Sequence, residues 1–95
     1  MYVYVYHYYP SQNPNDYDCC PVPKPFLKIK GRDLWKLSLA SDIITDDEEN
    51  ELYFWNGPKN MYQAINILDD LDFQVKKRRC LDTSMEEYIF WRPNL

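Results

Sequence analysis

The sequence predicts an α+β fold, a small and mostly antiparallel sheet of four to six strands with one principal helix on one face. Three observations carry it. Tyr2, Tyr4, Tyr6 and Tyr8 alternate with Val3, Val5 and His7, the period of a strand whose two faces differ. Met61, Ala64, Ile65, Leu68 and Leu71 recur at the spacing of one apolar helical stripe. Finally, "DFQVKKRRC" and "MEEYIFWRP", on either side of "LDTS", read as a closing hairpin. A chain of 95 residues makes a single domain, 1–95, by the usual length prior.

In the first strand, Val3 and Val5 belong on the side the helix covers. The row Tyr2, Tyr4, Tyr6 and Tyr8 then falls on the other side, which must be open or buried against a copy or a partner. Aromatic residues make up 17% of the chain, and such rings give large contact area at little rotamer cost, so the row is a candidate partner-binding surface. The competing reading is that residues 10–25 fold over the tyrosines. This segment, "PSQNPNDYDCCPVPKP", holds five of the seven prolines and is a long loop, because proline cannot serve a central strand.

"FLKIKGRDLWKLSLA" reads as two short strands around Gly31, with Trp35, Leu37 and Leu39 on one side of the second. A helix from Asp33 onward is the alternative. In "TDDEENE", Asp46, Asp47, Glu48 and Glu49 form an acidic run without the spacing or the turn glycine of a Ca²⁺ loop. The expectation is an exposed acidic turn, and its four carboxylates are candidate partner-binding residues. "ELYFW" is a strand, after which Asn56 or Gly57 caps the helix and Pro58 enters its first turn. Asp69, Asp70 and Asp72 crowd the last turn, where the helix dipole prefers cations, so that end is expected to face solvent or a basic partner. If Asp82 and Thr83 form the hairpin turn, Arg79 faces Glu86 and Arg78 faces Glu87. Strand alternation then splits "KKRR" two cations to each face.

A net charge of −4 and a pI near 4.8 argue against non-specific nucleic-acid binding, without excluding a local basic strip. The start of the chain has no basic leader, and no stretch reaches the length of a membrane span, so a soluble, cytoplasmic protein is expected. Cys19, Cys20 and Cys80 are odd in number and suggest free thiols, with only His7 available to join them in a metal site. No glycine-rich phosphate loop exists, and nothing near His7 completes a triad. The expectation is a protein that is not an enzyme and needs no cofactor.

The aromatic strand "ELYFW", the turn "NGPKN", the helix ending in "ILDDLDFQV" and the terminal "YIFWRP" together resemble the GTP cyclohydrolase I feedback regulatory protein family. The resemblance covers roughly half the chain. It implies a small pentameric α/β regulator that docks on the cyclohydrolase and transmits inhibition or stimulation, and it transfers no binding residue. The wider expectation is a regulator or inhibitor that binds another protein, or itself as a homo-oligomer, in the manner of viral or phage-type blockers of host or defence enzymes. The alternative is a single-stranded nucleic-acid binder whose sheet-face tyrosines stack on bases.

Overall fold

The computed structural model describes residues 1–17, 21–32, 34, 37, 39, 43–47 and 52–93. Six strands and one helix follow in the order β1 (Tyr2–Tyr8), β2 (Phe26–Gly31), β3 (Ile43–Asp47), β4 (Leu52–Trp55), α1 (Met61–Asp70), β5 (Gln74–Asp82) and β6 (Met85–Trp91). They form one sheet in the spatial order β3-β4-β2-β1-β6-β5. Every neighbouring pair is antiparallel, so the predicted fold class is the observed one. β1 is interior, with β2 on one side and β6 on the other.

Directly paired residues share a face, so the register sorts the sheet. Val3 and Val5 lie opposite Gly31 and Ile29 on β2, and opposite Phe90 and Tyr88 on β6. This face is the core. Val3, Val5, Ile29 and Phe90 are at most 1% exposed, and the helix adds Met61, Ala64 and Leu68 to the same cluster. Ile65 and Leu71 pack at its margin, which completes the predicted stripe. Full burial of one such side chain is worth roughly 1.5–3 kcal/mol, so this stripe, rather than helix propensity, holds α1 in place.

Leu34, Leu37 and Leu39 complete the core from a turn rather than from the expected second strand. The Leu37 N–H donates to the Leu34 carbonyl at 3.0 Å, the tight spacing of a 3₁₀ turn, which aims leucines three apart at one target. Gly31 makes room for this: a Cβ there would meet Leu34 Cδ2 at 3.1 Å and the Tyr2 carbonyl oxygen at 3.2 Å. Trp35 lies outside the described residues.

Both ends of α1 differ from expectation. The cap is Asn60, not Asn56 or Gly57; its side chain accepts from the Gln63 N–H at 3.0 Å, while Gln63 reaches back to the Lys59 N–H at 2.7 Å. This reciprocal pairing satisfies two backbone donors, and Pro58 is left outside the helix. At the other end, Asp72 takes φ 68°, with Phe73 N–H donating to Leu68 O and Asp72 N–H to Asp69 O. That is a Schellman motif with aspartate where glycine is usual. Asp69, Asp70 and Asp72 are exposed, as predicted. The cation that suits the dipole arrives from the far end of the chain: Arg92 donates to the Leu71 carbonyl at 2.9 Å and lies over the Phe73 ring. Asp72→Gly is expected to stabilise the fold by about 1 kcal/mol by relieving the left-handed strain and removing an anion. A thermal melt that does not rise would contradict this.

The closing hairpin forms with its register shifted by one. The turn is Thr83–Ser84, because the Asp82 carboxylate accepts from the Ser84 N–H at 2.6 Å and so starts an Asx turn one residue later than expected. Arg79 therefore faces Glu87, and Arg78 faces Tyr88 while pairing diagonally with Glu86 at 2.7 Å. Irregularities between Val75 and Lys77 and between Cys80 and Asp82 also alter the facing of "KKRR". Lys77 and Arg79 lie on the Tyr4 side and the Lys76 ammonium reaches the Trp91 ring there, leaving Arg78 alone on the other side. The split is three to one, not two to two. Charges and bulges along exposed β5 suit an edge strand that resists further pairing.

Candidate functional site

The face opposite the helix carries the tyrosine row. On β1, Tyr4, Tyr6 and Tyr8 are half-buried and Tyr2 is 55% exposed. Lys30, Lys28 and Phe26 stand beside Tyr4, Tyr6 and Tyr8 on β2; Trp91, Ile89, Glu87 and Met85 stand beside the row on β6. Phe54 extends the aromatic surface onto β4, in contact with the Phe26 ring and with the Lys28 ammonium 5.2 Å over its centroid. Lys76, Lys77 and Arg79 border the other side on β5. The surface has an aromatic and aliphatic centre between two groups of cations.

Residues 10–25 form a loop whose described part lies in the open for six residues. Ser11 through Asp16 are exposed, and the loop is tied mainly to itself. Gln12 spans its two limbs by donating to the Pro10 and Pro23 carbonyls, Ser11 bonds to Asp16, and the Tyr17 hydroxyl donates to the Ser11 carbonyl. The loop reaches the row at one end, where burial first and then the neighbouring Tyr8 raise the Tyr17 hydroxyl's pKa. Cys19 and Cys20 lie outside the described residues, and Cys80 is an exposed free thiol.

One member of the face was not singled out from the sequence. Glu87 is only 4% exposed although it lies on the uncovered side, because the rings around it and Arg79 close over its carboxylate. Arg79 Nε donates to Glu87 Oε1 at 2.7 Å, and the Tyr6 hydroxyl also bonds to Glu87. A correct hairpin register would have exposed this: it places Glu87 between Tyr6 and Arg79, whereas the shifted register put Glu86 against Arg79. Tyr6 is thereby anchored within the face. Among the described residues, Tyr2 and Tyr4 show no such tether to a carboxylate.

A second polar cluster occupies the other side of the same hairpin. Glu86 accepts from Arg78, from the Tyr88 hydroxyl at 2.7 Å and from the Tyr9 hydroxyl at 3.2 Å. The Arg78 hydrogen bond above all, with Tyr88 and Tyr9 assisting, holds the Glu86 carboxyl below its ordinary range against the opposing effect of burial. Burial, followed by hydrogen bonds to Glu87 and Glu86 respectively, pushes Tyr6 and Tyr88 up to about 12. Their contribution to stability is complete below the ordinary tyrosine pKa of 10.0 and is lost as pH rises towards about 12. An ultraviolet phenolate titration should show a late-ionising group of tyrosines that includes Tyr6 and Tyr88, and Tyr6→Phe should remove one of its members. A titration in which all tyrosines ionise together near pH 10 would refute the assignment.

Other predicted chemistry is dispersed. Burial pushes the His7 imidazole down, with Glu86 partly opposing. His7 lines a cleft of about 150 Å³ between Leu27, Trp55, Pro58 and Asn60, and among the described residues no carboxylate borders it. Among the described residues, no three His, Cys, Asp or Glu side chains form a metal-holding group. Asp46 and Asp47 fall at the end of edge strand β3 rather than in a turn. The alternation that marks a strand is weak there because acids interrupt it. Glu48 and Glu49 lie outside the described residues, so the acidic candidates do not join the tyrosine row in one described site. Among the described residues no helix is long and apolar enough to cross a membrane. No family model, curated protein or solved structure matches the chain.

Proposed function

We propose that this protein acts by binding, as a small regulator or inhibitor without chemistry of its own, and that it docks on a partner protein through the open face of its sheet. The observation that carries this reading is the row of Tyr2, Tyr4, Tyr6 and Tyr8 on the face away from the helix, Tyr2 exposed and the others half-buried, with Trp91, Ile89 and Met85 beside it. Tyrosine, tryptophan and methionine at a centre bordered by charge is the composition of an interface core and rim. Tyr2 at 55% and Phe26 at 37% exposure leave aromatic area in water that a partner would remove. Each well-packed ring of this kind can dominate the affinity, with near-neutral neighbours excluding water around it.

The likeness to the GTP cyclohydrolase feedback regulators is a specific form of this reading. The segments that carry it form β4, α1 and β5–β6. Asp46, Asp47, Glu48 and Glu49 would then provide a separate acidic contact. Affinity capture from the native host tests the reading with wild type and Tyr4→Ser as parallel baits. A partner retained by wild type and lost from a folded Tyr4→Ser supports it. Identical captured sets would remove the tyrosine face as the docking surface.

A further inference from the structure

We infer that the open face also binds single-stranded nucleic acid, with the β1 tyrosines as a stacking ladder and the flanking lysines as phosphate contacts. The inference keeps the open face as the working surface and adds a second ligand class to it.

Its basis is the segregation of charge. The chain is acidic overall, at −4, yet Lys28, Lys30, Lys76, Lys77 and Arg79 all lie on or reach this one face. Among the described residues, the register puts three carboxylates on this face against those five cations: Glu87, held by Arg79, Asp82, which accepts from the hairpin backbone, and Asp47, at the far edge on β3. The exposed acids Asp69, Asp70 and Asp72 sit at the end of α1, on the opposite layer. Cations therefore outnumber carboxylates beside the tyrosine row, which favours an anionic occupant there.

Geometry separates a linear polyanion from a compact acidic protein. Alternate residues on a strand stand about 7 Å apart, so Tyr2 to Tyr8 form a ladder roughly 20 Å long. That repeat is on the scale of successive nucleotides in an extended single strand, and every base offers a face to an aromatic ring. The cations do not ring this ladder. They run along both sides of it, on β2 and on β5, roughly 14 Å apart across three strand spacings. A row of planar groups between two lines of lysines fits a chain that carries a planar group and a charge at every repeat. The β1 row also takes the ring type that single-strand platforms use, and it crosses the middle of the sheet rather than an edge.

The test is fluorescence anisotropy of purified protein with a labelled oligothymidylate of about a dozen nucleotides, within the range that one sheet can track. Four lysine contacts, at about 0.7 released counterion each, give a logarithmic salt slope near −2.8, or about 50-fold weaker binding at about 200 mM than at about 50 mM salt. Lys28→Gln with Lys30→Gln should halve the slope, reducing that factor to about 7. Tyr4→Ser should weaken binding at least about 5-fold through lost stacking, and Tyr4→Phe should restore it. Melting curves confirm that each variant is folded, and Tyr6 is left intact because it tethers Glu87.

No binding at the lower salt overturns the inference, as does equal affinity for duplex. Binding that Tyr4→Ser leaves unchanged, or that polyglutamate displaces as well as unlabelled oligothymidylate does, also overturns it and assigns the face to acidic protein. A failure here is distinguishable from failure of the protein-docking reading. The latter depends on the difference between the two captured sets, which this assay does not measure.

Discussion

Val5→Asp is expected to leave the chain unfolded, whereas Tyr4→Ser, one residue away, leaves it folded with its stability changed by about 1 kcal/mol or less. Val5 is fully buried, between Ile29 and Tyr88 on the adjacent strands. A carboxyl placed there has no partner, and even after taking up a proton it costs several kcal/mol. A domain of this size has a total stability of only about 5–15 kcal/mol, so the loss takes most of it. Tyr4 lies between Lys30 and Ile89 on the uncovered side, where water already reaches the ring. Far-UV circular dichroism and a thermal melt distinguish the two variants. A cooperative melt for Val5→Asp, or a collapse of Tyr4→Ser, would reverse the assigned faces of β1.

Arg79→Ala should lower stability by about 2 kcal/mol, or about 10 °C in Tm for a domain of this length. The guanidinium is half-exposed while its partner carboxylate is 6% exposed, so the loss falls mainly on Glu87. Removing the cation leaves a desolvated charge with only the Tyr6 hydroxyl as a specific partner. This predicts a particular non-additivity. The double change Arg79→Ala with Glu87→Leu should be more stable than Arg79→Ala alone, because it removes the stranded charge and leaves an apolar group against Ile89 and Met85. Additive losses in the double variant would show that Glu87 is solvated in the native protein.

How much of this was legible in the sequence depended on the range of the determining contacts. β1 could be read because its alternation is strict and both its faces are decided by packing against neighbours. α1 could be read for its stripe but not for its boundary, since Asn56, Gly57 and Asn60 are all acceptable caps and only Gln63 selects the last. The hairpin could be recognised but not registered. One side-chain hydrogen bond, from Ser84 N–H to Asp82, moved the turn by a residue and turned every predicted charge pair to a different neighbour. That single shift concealed Glu87, the buried acid of the candidate site. Leucines at 37 and 39 alternate like a strand while Leu34 and Leu37 also fit a helical period, and the Leu34–Leu37 hydrogen bond makes a tight turn whose role becomes visible only once Gly31 ends β2. Whether the loop folds over the tyrosines had no local signal at all, since it depends on where a sixteen-residue segment goes.

The central claim is that the tyrosine face is where this protein meets its partner. Tyrosine nitration read by mass spectrometry, with and without the captured partner, tests it within one molecule. Tyr2, 55% exposed on the open face, and Tyr62, 80% exposed on α1, both react in the isolated protein and serve as opposite-sided probes. The expected result is that the partner protects Tyr2 and Tyr4 several-fold while Tyr62 reacts as before. Protection of Tyr62 with Tyr2 still reactive would place the partner on the helix layer and contradict the account.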